Sequence, residues 1–238
     1  MSAFLYGVGL HWRMDLRNRE VVIVYYVVPL IFFLFMGGFF SAVMPGAEQT
    51  LIQSMTVFGA TMGAMIGSPA ALAETYNSET RKAYRVGGVP LWTAVAANLL
   101  SSFLHLLLMS AILYLAARLL YGAVPPPHPA AFFAALALFL FCSLCVGTLL
   151  GLLASTPSRL TMLSQLLFLP SVLVSGIMVP AAMLPRALQL AGKLLPATWG
   201  YELLCAASFQ LQPVLALLGM AALCLALCGW RLKKIYSE

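Results

Sequence analysis

The sequence predicts an all-α integral membrane protein: six transmembrane helices, an N-terminal amphipathic helix in the interface, and short external re-entrant or interfacial helices ahead of the last span. Three observations predict it. Of the 238 residues, 62% are hydrophobic and only 8% are charged, where a soluble domain carries about a quarter. The mean hydropathy is +0.96. The apolar residues also gather into six runs, each near the ~20 residues that a helix needs to cross a bilayer core. Short links between the runs leave no room for a second globular unit, so residues 1–238 read as one transmembrane domain.

Residues 3–19 place Phe4, Val8, Trp12 and Leu16 on one helical face and turn His11, Asp15, Asn18 and Arg19 away from it. Such a helix suits the plane of the interface. The first span, 21–41, is uncharged, too long for the h-region of a signal peptide, and open to a bend at Pro29. A polar link, 44–53, leads to the second span, 54–73. There Gly59, Gly63 and Gly67 repeat every four positions, a packing face that lets another helix approach closely.

A charged stretch precedes the third span, 91–117, which pairs Asn98 with Ser102 and Ser101 with His105 at helical spacing. An ionisable group inside a membrane suggests function. A histidine with no carboxylate in its own helix also has a plainer reading, a neutral hydrogen-bonded bundle residue. Residues 118–129 include Pro125, Pro126, Pro127 and Pro129 and form a rigid loop, because each proline lacks a donor and restricts its predecessor.

The fourth span, 131–154, carries a further small-residue pair, Gly147 and Gly151. A tight polar turn at 155–161 leads to the fifth span, 162–180, interrupted by Pro170. Between 181 and 212 prolines alternate with short amphipathic pieces. Leu184, Leu188, Ala191 and Leu195 share one face, and Arg186, Gln189 and Lys193 share another. Pro185 is expected to open this helix and Pro196 to end it. The sixth span, 213–230, is followed by a short basic tail.

Charge sets the expected orientation. Arg13, Arg17, Arg19, Arg81, Lys82, Arg85, Arg159, Arg231, Lys233 and Lys234 fall on one side of a six-span topology, ten of the 13 basic residues. The positive-inside rule puts that side, with both termini, in the cytoplasm of a cell membrane, bacterial by expectation. Basic clusters flanking apolar runs also account for the net charge of +6 without nucleic acid. The five cysteines read as small hydrophobes, and Cys142 and Cys145 lack the second pair or histidine that a metal site needs. None of the four lysines stands in a P-loop, no catalytic triad is legible, and the chain reads as a non-enzyme that binds no cofactor or metal.

Two stretches carry a family resemblance. After the fifth span come Ser175, Gly176, Pro180, Pro185, an amphipathic piece, then Leu195, Pro196 and Thr198. Before the third span come Glu79, Arg81, Lys82, Arg85, Gly87 and Pro90. Together with an amphipathic helix and six spans, this resembles the membrane permease subunits of type-2 ABC exporters. The resemblance implies two permeases, as two copies or as one copy with a sister permease. It also implies two ABC ATPase subunits, with ATP and Mg held by the ATPase partner. It assigns Glu79, Arg81, Lys82, Tyr84, Arg85 and Gly87 to a coupling segment seated in a groove of the ATPase.

A cleft between permeases lined by Phe, Met and Leu suits hydrophobic or amphipathic cargo: a drug, a membrane-active peptide or a membrane lipid. Met36, Phe58, Met62, Met65, Gln165 and Phe168 are the cargo-path candidates, methionine being adaptable in shape. Two other classes compete with export. One is a membrane anchor or assembly protein without transport of its own, and the other is a proton-coupled secondary transporter built on His105.

Overall fold

The computed structural model describes residues 3–43, 46–77, 86–88, 90–206, 208 and 210–237. Among the described residues there is no strand, and six helices are long and apolar enough to cross a membrane: Arg19–Phe40, Leu51–Ala73, Trp92–Tyr121, Pro129–Leu153, Pro157–Val174 and Leu211–Lys234. The chain is a multi-pass membrane protein. An N-terminal helix, Ala3–Arg17, precedes the spans, and two short helices, Arg186–Gly192 and Pro196–Cys205, precede the last.

The second span is the axis of the bundle, with every residue from Leu51 to Met62 buried. Lipid tails are as apolar as leucine, so close packing of small residues holds membrane helices together. A Cβ at Gly59 would lie 3.3 Å from both Leu113 of the third span and Pro29 of the first. One at Gly63 would collide with Leu106, and one at Gly67 with the Tyr25 ring. The fourth span closes the opposite side: a Cβ at Gly147 would collide with the Ala64 carbonyl oxygen, and one at Gly151 would sit 3.2 Å from that of Pro69. The sixth span packs along the fourth, and Arg231 Nε donates to the Leu152 carbonyl at 3.3 Å, satisfying a helix-end acceptor.

The first and second spans each contain one turn of π-helix, Ile23–Val27 and Gly63–Gly67. Each lies two residues ahead of a proline, Pro29 and Pro69. A proline has no N–H to donate, and its ring crowds the carbonyl four residues back. Widening one turn removes that conflict: Val28 N–H reaches the Ile23 carbonyl, and Ser68 N–H reaches that of Gly63. At Pro29, where the sequence left room for a bend, the first span carries this π turn. Pro170, by contrast, lies inside a continuous helix, Pro157–Val174, and does not interrupt the fifth span.

Other boundaries also differ from expectation. The N-terminal helix ends at Arg17, and Asn18 caps the next helix by accepting from Glu20 N–H at 3.0 Å. The second span starts at Leu51, and the third runs on through Arg118 to Tyr121, where Gly122 turns left-handed at φ 59°. The rigid loop is therefore only Gly122–His128. The fifth span begins at Pro157, capped by the Thr156 hydroxyl on Arg159 N–H at 3.3 Å, and stops at Val174. Pro185 precedes its helix as the cap, and Pro196 opens a helix where it was expected to close one, because proline suits a first helical turn. The basic tail continues the sixth helix to Ser237.

Candidate functional site

Of the cargo-path candidates, Phe58 and Phe168 meet at the junction of the first, second and fifth spans, and Gln165 does not join them. Phe58 stacks on Phe32 of the first span, with centroids 3.8 Å apart, and meets Phe168 of the fifth edge-on at 5.8 Å. Met62 is buried, and Met36 is half-buried. Met65 is fully enclosed, its sulfur 3.8 Å from the Ser171 hydroxyl. Gln165 is exposed on the outer face of the fifth span beside Met162, Leu166 and Leu169.

Below this aromatic junction, at the end of the bundle that holds Arg19 and Pro157, the three spans part around a cavity of about 790 Å³. Ile66, Gly67, Ala70 and Leu160 are among its apolar wall residues, and Asn18, Arg19 and Glu20 stand among its lining where the first span starts. Short side chains on the second span leave this space. Apolar walls with the charge of the described lining residues at one edge fit an amphipathic molecule.

The N-terminal helix is held to the third span by a buried polar cluster. Its packed face is Val8, Trp12 and Asp15, whereas Phe4 and Leu16 are exposed. Asp15 is thus turned inward, the reverse of the sequence expectation, because the third span supplies its partner: Ser101 Oγ donates to Asp15 Oδ2 at 2.6 Å. Burial pushes the Asp15 carboxyl up to about 6, the Ser101 hydrogen bond opposing the shift.

His105 lies under the same helix, its ring stacked on Trp12 at 3.7 Å. Its Nε2 is 3.8 Å from Asp15 Oδ2, beyond hydrogen-bond reach. The π turn of the first span completes the cluster. It brings two consecutive tyrosines onto the third span, where the Tyr25 hydroxyl bonds Ser102 Oγ at 2.8 Å and that of Tyr26 bonds His105 Nδ1 at 2.7 Å. In a regular helix adjacent side chains diverge by about 100°. The carboxylate that His105 lacks in its own helix comes from another, 90 residues earlier in the chain, and only the helical spacing of Asp15 with Val8 and Trp12 hinted at it.

Of the coupling candidates, Glu79, Arg81, Lys82, Tyr84 and Arg85 lie outside the described residues. Gly87 is described and forms an exposed turn with Gly88, whose φ is 64°. Pro90 then starts the third span in extended conformation at φ −62°, ψ 131°.

Comparison with known proteins places this architecture. The sequence pattern of the family described as ABC-2 type transporter matches residues 3–209, from the N-terminal helix to just before the sixth span. No curated protein and no solved structure is similar enough to match.

Proposed function

We infer the function of this chain from the family it belongs to, the ABC-2 type transporters: it is the membrane permease of an ATP-driven exporter whose cargo is hydrophobic or amphipathic. Its ATPase is a separate subunit, present as a pair, and a second copy of the permease or a sister chain completes the pathway. The observation that carries the cargo class is the cavity between the first, second and fifth spans, apolar in its walls and, among the described residues, charged where the first span starts. The exposed Gln165 supports a second permease on that face, because an amide left facing lipid is costly. ATP shifts the cleft only as far as nucleotide favours the closed ATPase pair.

The coupling segment is the stretch around Arg81, Lys82 and Arg85, which precedes in sequence the exposed Gly87–Gly88 turn. Tagged ATPase encoded beside this chain is expected to copurify with it. Replacing Arg81, Lys82 and Arg85 together by alanine is expected to leave the membrane protein folded but to weaken the complex or uncouple hydrolysis from efflux. Charge-assisted hydrogen bonds are worth on the order of 1–3 kcal/mol each. Unchanged complex yield, hydrolysis and efflux would return the segment to an ordinary positive-inside loop.

The end carrying both termini faces the cytoplasm of a bacterial plasma membrane in this reading, and the helices between Pro180 and Cys205 face outside. A cysteine replacing Lys193 should then react with an impermeant maleimide added to whole cells. Reaction only after the cells are opened would invert the topology.

A further inference from the structure

We propose that a second cavity, at the opposite end of the bundle from the N-terminal helix, binds an uncharged amphiphile from the surrounding leaflet, with the ligand's hydroxyl or amide head at Gln53. The cavity measures about 740 Å³, within the range of small-molecule and lipid sites. It is framed by the start of the second span, the proline loop, the start of the fourth span and the end of the helix Pro196–Cys205. It is distinct from the cargo cavity, and its argument does not rest on the export reading.

Three features define the ligand. The walls are apolar, with Phe132, Ala135, Leu138, Leu203 and Val214 among them, and among the described residues no Asp, Glu, Lys or Arg lines the space. A charged head would lose its hydration there and meet no counter-charge. The polar groups are few: Gln49, Gln53, His128, Cys205 and Ser208. Gln53 is 7% exposed, and its Oε1 has no hydrogen-bond partner among the described residues. A buried amide oxygen without a donor is an exception that needs an explanation, and a ligand O–H or N–H supplies the missing donor.

The site is also formed in advance. Pro125, Pro126 and Pro127 restrict the loop, and Val124 N–H donates to the Glu48 carbonyl at 3.1 Å, tying the loop to the approach to the second span. Little ordering is therefore left for the ligand to impose.

The test uses the full chain in nanodiscs and a monoacylglycerol carrying a diazirine in its acyl chain, with adducts mapped by mass spectrometry. Adducts are expected at Leu138, Leu203 and Val214, displaced by unlabelled monoolein but not by an anionic or a quaternary-ammonium amphiphile of the same chain length. Ala134→Trp, which fills the cavity, should abolish them. Ala131→Trp is the second block should the first variant fail to stay monodisperse. Gln53→Leu should weaken displacement by monoolein roughly fivefold, the loss of one neutral hydrogen bond, while leaving displacement by its dimethyl ether unchanged. Three results would overturn the proposal: adducts spread evenly over lipid-facing residues such as Leu115 and Leu223, equal displacement by charged amphiphiles, or labelling that requires the ATPase and ATP. The last would assign the cavity to cargo in transit.

Discussion

Gly147→Ala is expected to abolish recovery of folded protein. The added Cβ would collide with the Ala64 carbonyl oxygen of the second span. A backbone oxygen cannot rotate aside as a side chain can, so the two central spans must separate. Pro69 and Leu72 pack the same seam above Gly151, which blocks a local adjustment. Overpacking in a well-filled core commonly costs about 1–3 kcal/mol and more where backbone must move, a large fraction of the stability of a protein.

The measurement is the yield of monodisperse protein and its thermal midpoint in detergent, beside two controls. Gly219→Ala, where nothing lies within 4 Å of the new methyl, should behave as wild type. Gly63→Ala would meet the Leu106 side chain, which can change rotamer, and should fall between them. Equal behaviour of the Gly147 and Gly219 variants would show that the second and fourth spans are not in contact at this seam.

The second large effect is a pH dependence in the attachment of the N-terminal helix. A carboxyl whose folded pKa is raised adds stability at pH values below its unfolded pKa, and that stability is lost as pH rises through the folded value. For Asp15 the window runs from 3.8 to about 6, corresponding to roughly 3 kcal/mol at 1.36 kcal/mol per unit. The helix should therefore be held more firmly at pH 4 than at pH 7.5. The Ser101 hydrogen bond offsets the ionisation only in part, while among the described residues His105 Nε2 stays 3.8 Å away and Arg13 and Arg17 on the same helix are exposed. The position of Asp15 in the last turn of its helix adds to the penalty.

Hydrogen exchange of the segment from Val8 to Arg17, corrected for intrinsic rates, is expected to lose about a hundredfold of protection across that window. Asp15→Asn should show a flat profile, because an amide stays neutral and can still bond Ser101. A wild-type profile as flat as that of Asp15→Asn would mean that the carboxyl does not control docking. If the helix also gates the cargo cavity, which begins at Asn18 and Arg19, efflux should follow the same window in wild type and lose it in Asp15→Asn.

Elements that depend on composition and local period were legible before any fold was known. Six apolar runs of spanning length gave six spans, because the bilayer sets the length and leaves the backbone no partner but itself. The glycines at 59, 63 and 67 marked a close helix approach in advance, since only the absence of a side chain permits it. Pro29 and Pro69 carried a signal for the two π turns, readable only through the conflict between a proline ring and the carbonyl four residues back. The exact ends of the spans were less legible. Interface residues such as Arg118 and Tyr121 join a helix or leave it according to what they touch, and Tyr121 extends the third span by bonding the Leu34 carbonyl at 2.6 Å.

Which groups share a site depends on how distant helices pack. Asp15 looked like a solvent-facing charge because polarity alone assigns a residue to water. Its burial depends on Ser101, 86 positions later, and no local pattern encodes that meeting. Met65 shared a helix and a residue type with Met62, yet packing encloses it completely. Both cavities arise from helices of distant sequence that fail to fill the space between them. A packing gap of that kind is a property of the assembled bundle, because its volume is set by how neighbouring helices cross and by which short side chains face each other there.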